Sequence, residues 1–286
     1  MKKIAVTTAS GHLGSSIIQR LKQEVGPGQI LGIARSPEKA AHLGVEVRKG
    51  DYNHPGELTG ALKGVGALLM VSGMEHPEVR IRQHRNVIEA AREQGAEKIV
   101  YTSIIGAEEG NAFSPIVASN RQTEQDIQQS GLQWAIGRNG LYIEPDLDYI
   151  ETYRKEGGIT NSAGEGRCVY TSRNELAHAY GRLLTDDRLN GRIYSLCGEA
   201  VTQQQLAEAI NTACRLHLTY SSIPVEQYLE ERKSALGDFL GNIIGGIYEG
   251  IRYGKFDVPS DYREVAGRPH QSLEEMIRDY LAHLTG

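Results

Sequence analysis

The sequence predicts an α/β protein built on a doubly wound parallel sheet, and three observations carry that expectation. Short β-rich runs alternate with stretches of helical spacing over residues 1–140. Glycine and proline punctuate the borders between the two patterns. A glycine-rich turn follows the first β-rich run and opens the first helical stretch.

The β-rich runs fall at Ile4–Thr8, Ile30–Ala34, Val45–Arg48, Ala67–Ser72, Lys98–Ser103 and Gln133–Arg138. Leu13, Ile17, Ile18 and Leu21, and later Val87, Ile88 and Ala91, recur at helical spacing between them. Such alternation makes βαβ units with right-handed crossovers and helices on both faces of the sheet. Ser36-Pro37-Glu38 and Asn53-His54-Pro55 place a cap residue and then proline at helix starts. Gln94-Gly95-Ala96 and Ser130-Gly131-Leu132 place glycine where helices end.

After about residue 145 the rhythm loosens. A strand at Arg167–Thr171, a helix at Arg173–Thr185, a strand at Arg192–Leu196, a helix at Gln203–Thr212 and a strand at Leu216–Ile223 follow. Helices are expected over Val225–Tyr253 and Leu273–Leu284, the former broken or bent by Gly241, Gly245 and Gly246. The chain thus divides into residues 1–145 and a smaller C-terminal α/β lobe, residues 146–286, that partly adds to the sheet and leaves a cleft between the two.

The chain has 286 residues, 40% hydrophobic and 23% charged, with a formal net charge of −5. That mix excludes a disordered chain, a coiled coil and a disulfide scaffold. Lys and Arg form no basic run, so nucleic acid is not expected as a partner, because neutralising phosphates requires clustered cations. Cys168, Cys197 and Cys214 are odd in number and unpaired in spacing. They read as reduced thiols of a cytoplasmic protein, and no metal site is expected. The first apolar run is too short for a signal peptide, and no run of about eighteen apolar residues predicts a membrane span. Neither a heptad nor an exposed apolar stripe sets the oligomeric state, which leaves a homodimer open. Glycine is in excess, at 33, against roughly 20 for average usage.

The most telling glycines stand in Thr7-Thr8-Ala9-Ser10-Gly11-His12-Leu13-Gly14. Strand, tight turn and helix form the setting in which first-turn amides and the helix dipole hold a pyrophosphate. Thr8 and Ser10 lie in the bend, and the donors are the amides near His12 and Leu13. Gly11 lets the backbone approach the phosphates, and Gly14 lets the helix pack against the strand. Residues 1–145 are therefore expected to form an NAD(P)-binding Rossmann domain. In an NAD-specific site a carboxylate at the end of the second strand binds the ribose 2′-hydroxyl. Gly32-Ile33-Ala34-Arg35-Ser36 offers none. Arg35, with Lys39 one helical turn on, suits a 2′-phosphate, so NADP(H) is expected over NAD(H).

The turn resembles the Thr-Gly-Ala-Thr-Gly-x-Leu-Gly of the NmrA-like atypical short-chain dehydrogenase/reductases. It departs at Thr8, which takes the place of the first glycine. Either the backbone is extended there and threonine fits, or the site has changed, since a β-branched residue tolerates positive φ poorly. The likeness continues through Gly50-Asp51-Tyr52, Gln83-His84-Arg85-Asn86-Val87 and Gly137-Arg138-Asn139-Gly140-Leu141-Tyr142. It goes on through Gly164-Glu165-Gly166-Arg167 and Thr171-Ser172-Arg173-Asn174-Glu175-Leu176-Ala177, and more loosely over nearly the whole chain. It is similar above all to quinone- and dye-reducing members of the family.

The resemblance implies that Asp51 accepts from the adenine amino group and that Tyr52 offers a flat face beside it. It implies that Ser72 and Gly73 pass beneath the cofactor's ribose, where small residues are needed, and that Asn139 stands at the mouth of the nicotinamide pocket. Conventional members use Tyr-x-x-x-Lys for proton transfer. The helix that should carry it, Ser114 to Glu124, has neither residue, so alcohol dehydrogenation by that pair is not expected. Ser103 reads as structural, Arg138 as the anchor of a strand end, and His12 and His84 as non-catalytic. The implied function is NADPH-dependent hydride transfer to a small-molecule electron acceptor, a quinone or similar flat compound. Asn139 would orient one carbonyl, and Tyr142 or water would supply protons. A non-enzymatic NAD(P)-binding redox sensor of the NmrA type is the second reading.

Overall fold

A computed structural model describes residues 2–285. The chain runs through β1 (Lys3–Val6), α1 (His12–Val25), β2 (Ile30–Ala34), β3 (Glu46–Lys49), α2 (Pro55–Ala61) and β4 (Val65–Met70). It continues through α3 (Pro77–Glu93), β5 (Lys98–Ile104), α4 (Ser114–Gln128) and β6 (Gln133–Asn139). The six expected strands are all present, their ends moved by a residue or two. The expected helix after Ser36 is instead a 3₁₀ helix, Pro37–Leu43, closed by Gly44 at φ 66°. Gly95 and Gly131 end their helices at φ 66° and 79°, as their positions require.

Beyond β6 come β7 (Leu141–Tyr142), α5 (Glu144–Asp148), α6 (Ile150–Glu156), β8 (Gly158–Asn161), β9 (Arg167–Thr171), α7 (Arg173–Thr185) and β10 (Arg192–Leu196). Then follow β11 (Ala200–Thr202), α8 (Gln203–Cys214), β12 (Thr219–Ser222), α9 (Val225–Arg252), α10 (Tyr262–Ala266) and α11 (Leu273–Thr285). The central sheet has the order β10-β6-β5-β4-β1-β2-β3, and every pair in it is parallel. Parallel strands are covered on both faces, which is why β2 is an unbroken buried run, Ile30-Leu31-Gly32-Ile33-Ala34. On one face Leu13, Ile17, Ile18 and Leu21 of α1 pack with Leu176, Tyr180 and Leu183 of α7. On the other, Leu58 of α2 and Val87, Ile88 and Ala91 of α3 cover Leu31, Leu68 and Ile99. Residues 173–196 thus return to the large sheet after the chain has left it.

The remaining segments build two small sheets, β11-β9-β7 and β12-β8, around a separate apolar cluster that includes Phe113, Ile143, Val169, Leu206 and Phe256. The break in α9 lies at Gly237 (φ 79°, ψ 165°), not at Gly241, Gly245 or Gly246. Those three glycines serve close packing instead. A Cβ on Gly241 would stand 2.5 Å from the Lys233 backbone, and one on Gly245 would stand 2.5 Å from Leu229 Cδ1. The Tyr228 and Tyr248 rings meet edge to face at 5.3 Å. These contacts join residues far apart along one helix, so 225–236 folds back on 238–252 as a helical hairpin. Gly246 brings the second arm against the Phe113 amide, where a Cβ would come within 2.1 Å.

Candidate active site

Thr8 has φ 50°, so the turn takes the left-handed backbone that glycine enters freely. The extended alternative does not hold. Its carbonyl accepts from the Gly11 amide at 2.8 Å. A Cβ on Gly14 would lie 2.4 Å from that same oxygen, which is why the helix start requires glycine. Gly11 caps α1 without a side chain, and no acid stands in the first turn. The His12 and Leu13 amides find no acceptor within the described residues. The bend is tied to β4 through Thr7, whose Oγ1 accepts from the Val71 amide at 2.9 Å and donates to the Leu69 carbonyl at 3.2 Å.

The other expected cofactor residues stand along the same carboxyl edge of the sheet. Arg35 follows β2 and is exposed, as is Lys39. Asp51 follows β3, and its Oδ1 accepts from the Asn53 amide at 2.8 Å. Tyr52, expected to offer a flat face beside the adenine, also has a packing role. It is 9% exposed, and its hydroxyl lies 2.5 Å from Thr7 Oγ1 and 2.8 Å from the Val71 carbonyl, locking the loop after β3 to β1 and β4. Burial drives its hydroxyl far above the ordinary tyrosine range.

Ser72 and Gly73 follow β4 and are held from below. The Ser72 amide donates to Thr102 Oγ1 at 2.9 Å, and the Gly73 amide donates to His84 Nε2 at 3.1 Å. His84 is therefore an acceptor at Nε2, and its Nδ1 proton faces Thr123 Oγ1 at 2.9 Å. Burial, and then the charge of Arg80, push its pKa down to about 3, so it stays neutral. Gln83 reaches Asn53 at 3.1 Å, and Asn86 reaches the Tyr52 carbonyl at 2.8 Å. The Gln83-His84-Arg85-Asn86 run is thus a clamp on the loops after β3 and β4.

At the end of β6, Asn139 is 4% exposed. Its Oδ1 accepts from the Tyr180 hydroxyl at 2.6 Å, and its Nδ2 donates to the Tyr142 hydroxyl at 3.0 Å. Gly137 makes room for Tyr180, whose hydroxyl would meet a Cβ at 2.4 Å. The Tyr142 hydroxyl accepts from Asn139 and, among the described residues, has no acceptor for its own proton. Burial raises its pKa to about 12, against the Asn139 hydrogen bond that lowers it. Arg138 anchors β6 with two bonds to Glu124, at 3.0 and 2.6 Å. Ser103 donates to the same carboxylate at 2.5 Å. Against the burial that raises it, Arg138 and Arg121 hold Glu124 below the usual carboxylate range.

The helical hairpin reaches over this edge. Phe239, just past the Gly237 turn, brings its ring to 4.1 Å from that of His76, three residues after Gly73. Arg80, Tyr101 and Asn120 bond to Ser72, and Tyr180 bonds to Asn139; none of these four follows from sequence. Their partners lie eight to forty-eight residues away in the chain. The signal available in advance was the Gln83-His84-Arg85-Asn86-Val87 run, which marks the helix that carries Arg80.

A parallel doubly wound sheet with open amides at its first helix and a polar edge beyond β4 and β6 is the framework of a dinucleotide-dependent oxidoreductase. The comparisons agree. The sequence profile of the NAD(P)H-binding family matches residues 8–187. Quinone oxidoreductase 2 of Escherichia coli (strain K12) is 32% identical over 285 residues, covering 96% of this chain and 97% of that protein. The crystal structure of the NADPH-dependent quinone oxidoreductase from Escherichia coli, complexed with NADPH, superposes with a TM-score of 0.89 at 31% identity, over 99% of this chain and 100% of that one. Citrobacter sp. triphenylmethane reductase complexed with NADP(H) gives 0.89 at 32% identity, over 97% and 99%. The chain belongs to the NAD(P)H-binding, NmrA-like family and is an NAD(P)H-dependent oxidoreductase.

Proposed function

We propose that this oxidoreductase uses NADPH to reduce quinones and comparable flat acceptors. The observation that carries the reading is the chain Tyr180–Asn139–Tyr142, which ends in a hydroxyl proton with no acceptor among the described residues. The residues at the carboxyl edge fit a dinucleotide: unbonded amides at His12 and Leu13, no acid in the first turn of α1, and small residues at Ser72 and Gly73. Exposed Arg35 and Lys39 at the end of β2 favour a 2′-phosphate, hence NADPH over NADH. Bound there, the cofactor supplies the hydride.

The protein's own part is to orient the acceptor and to hydrogen-bond the oxygen on which charge develops, the proton that completes the hydroquinone coming from water. Reducing a quinone carbonyl builds negative charge on oxygen, and a fixed hydroxyl donor stabilises that charge in place. Tyr142 is that donor. With a pKa raised to about 12 it remains protonated at every working pH and hydrogen-bonds the developing oxyanion. Asn139 is a positioning residue: both ends of its amide are committed, and it aims Tyr142 instead of touching the acceptor. Residues 146–286, with the hairpin over β4 and β5, supply the acceptor side of the cleft.

The test is an assay of NADPH oxidation with several benzoquinones, preceded by titration with NADPH and NADH. Consumption above the buffer blank and tighter NADPH binding are expected. Tyr142→Phe should lower kcat about 10²-fold, by loss of one oxyanion donor, and leave NADPH affinity unchanged. No consumption with any quinone overturns the proposal.

A further inference from the structure

Beside Ser72, at the end of β4, stands a cation that no acid among the described residues neutralises. Arg80 lies one turn into α3 and is 5% exposed. Its Nη2 donates to Ser72 Oγ at 2.5 Å and to Asn120 Oδ1 at 3.3 Å. Its Nε is buried without an acceptor, and among the described residues no carboxylate oxygen comes within 4.0 Å of the guanidinium. The groups packed about it are neutral: Ser72, Asn120, His84 in its uncharged form, and Tyr101, which donates to Asn120 Oδ1 at 2.7 Å. Arg121 is buried almost as deeply and behaves differently, with Glu124 at 2.8 Å. An arginine stays protonated in such a place, and burying it without a counter-charge is costly.

The position of this charge gives it a use. Adenosine held by the ends of β2 and β3, with its pyrophosphate on α1, leaves the nicotinamide half for β4 and β5, on the other side of β1. Ser72, which Arg80 holds, is in that half. A nicotinamide ring is neutral when reduced and positively charged when oxidised. We infer that Arg80 makes the site discriminate the redox state of its cofactor: the unneutralised guanidinium repels the oxidised ring, so reduced dinucleotide binds more tightly and the oxidised product is expelled. The inference rests on the NAD(P)H reading of the site and adds a residue and a direction to it.

Equilibrium titration of the full chain with NADPH, NADP⁺ and adenosine 2′,5′-bisphosphate, which lacks the nicotinamide, tests this. Two like charges separated by a few side chains in protein surroundings predict NADPH binding roughly tenfold tighter than NADP⁺. Arg80→Gln should reduce that ratio at least about threefold and leave adenosine 2′,5′-bisphosphate affinity unchanged, while Arg80→Lys keeps the ratio. Arg80→Met is the second neutral variant should the first not fold. Equal affinity of the wild type for NADPH and NADP⁺ overturns the inference, whatever the variants do. So does an unchanged ratio in the neutral variants, or a parallel loss of all three ligands. Failure of the wild type to bind any of the three removes the cofactor reading itself, which separates that failure from this one.

Discussion

Thr8 holds a β-branched residue at φ 50°, in the region that glycine enters freely. The side chain strains the backbone by about 1–2 kcal/mol. Surrounding contacts enforce the conformation, because the Thr8 carbonyl must receive the Gly11 amide and lie against Gly14. Thr8→Gly relieves the strain and adds about 0.5–1 kcal/mol of chain entropy to the unfolded state. The net expectation is a gain of about 0.5–1 kcal/mol, read as a rise of about 1–4 °C in Tm. A fall of similar size would show that the threonine side chain supports the turn. The sequence announced this position, because the motif around it is local. Gly11 and Gly14 were legible for the same reason, since they stand in that local motif. The bonds that hold Tyr52 were not legible, because its hydroxyl partners, Thr7 and Val71, come from elsewhere in the chain. Asn139 and Tyr142 were visible as a motif, but the hydrogen-bonded chain through them was not, because Tyr180 joins them only in the folded protein.

The helical hairpin shows what a periodic pattern can and cannot say. Val225–Tyr253 reads as helix broken or bent at Gly241, Gly245 and Gly246, whereas Val225–Arg252 is helix apart from Gly237. Five glycines in one amphipathic stretch suggest a weak helix; four of them, all but Gly237, let other backbone or side chains approach closely. The two uses differ only in what lies opposite, which the one-dimensional pattern omits. A pair of identical substitutions separates them. Gly241→Ala forces its new methyl group into the Lys233 backbone and should cost about 1–3 kcal/mol, as overpacking does. Gly60→Ala, at an exposed site in α2 where nothing lies within 4 Å, should stabilise by about 0.5–1 kcal/mol. Urea titration of both variants reads the two signs, and equal effects would mean the arms are not in contact. The short elements β7, α5 and α6 escaped prediction because two to seven residues complete too little of a period to be recognised.

Over the whole molecule, buried titratable groups set how stability follows pH. Asp146 is 7% exposed. Burial raises its carboxyl to about 6, with hydrogen bonds from Tyr153 and Tyr170 opposing. The folded chain therefore holds this proton where the unfolded chain has released it, so the group's contribution falls as pH climbs from about 4 to 6. His84, held neutral down to about 3, acts in the opposite sense: the unfolded chain takes up its proton below about 6.5, so stability from this group falls as pH drops. The two effects oppose each other between pH 4 and 6, which flattens the profile and hides both in the wild type. Asp146→Asn removes one of them. The variant carries no charge into the interior, so its stability relative to wild type should improve from pH 4 to pH 7.5 by roughly 3 kcal/mol. Denaturant titrations of both proteins across that range make the measurement. A difference that stays constant with pH would mean that Asp146 titrates as it does in water, and that its tyrosine neighbours leave it solvated.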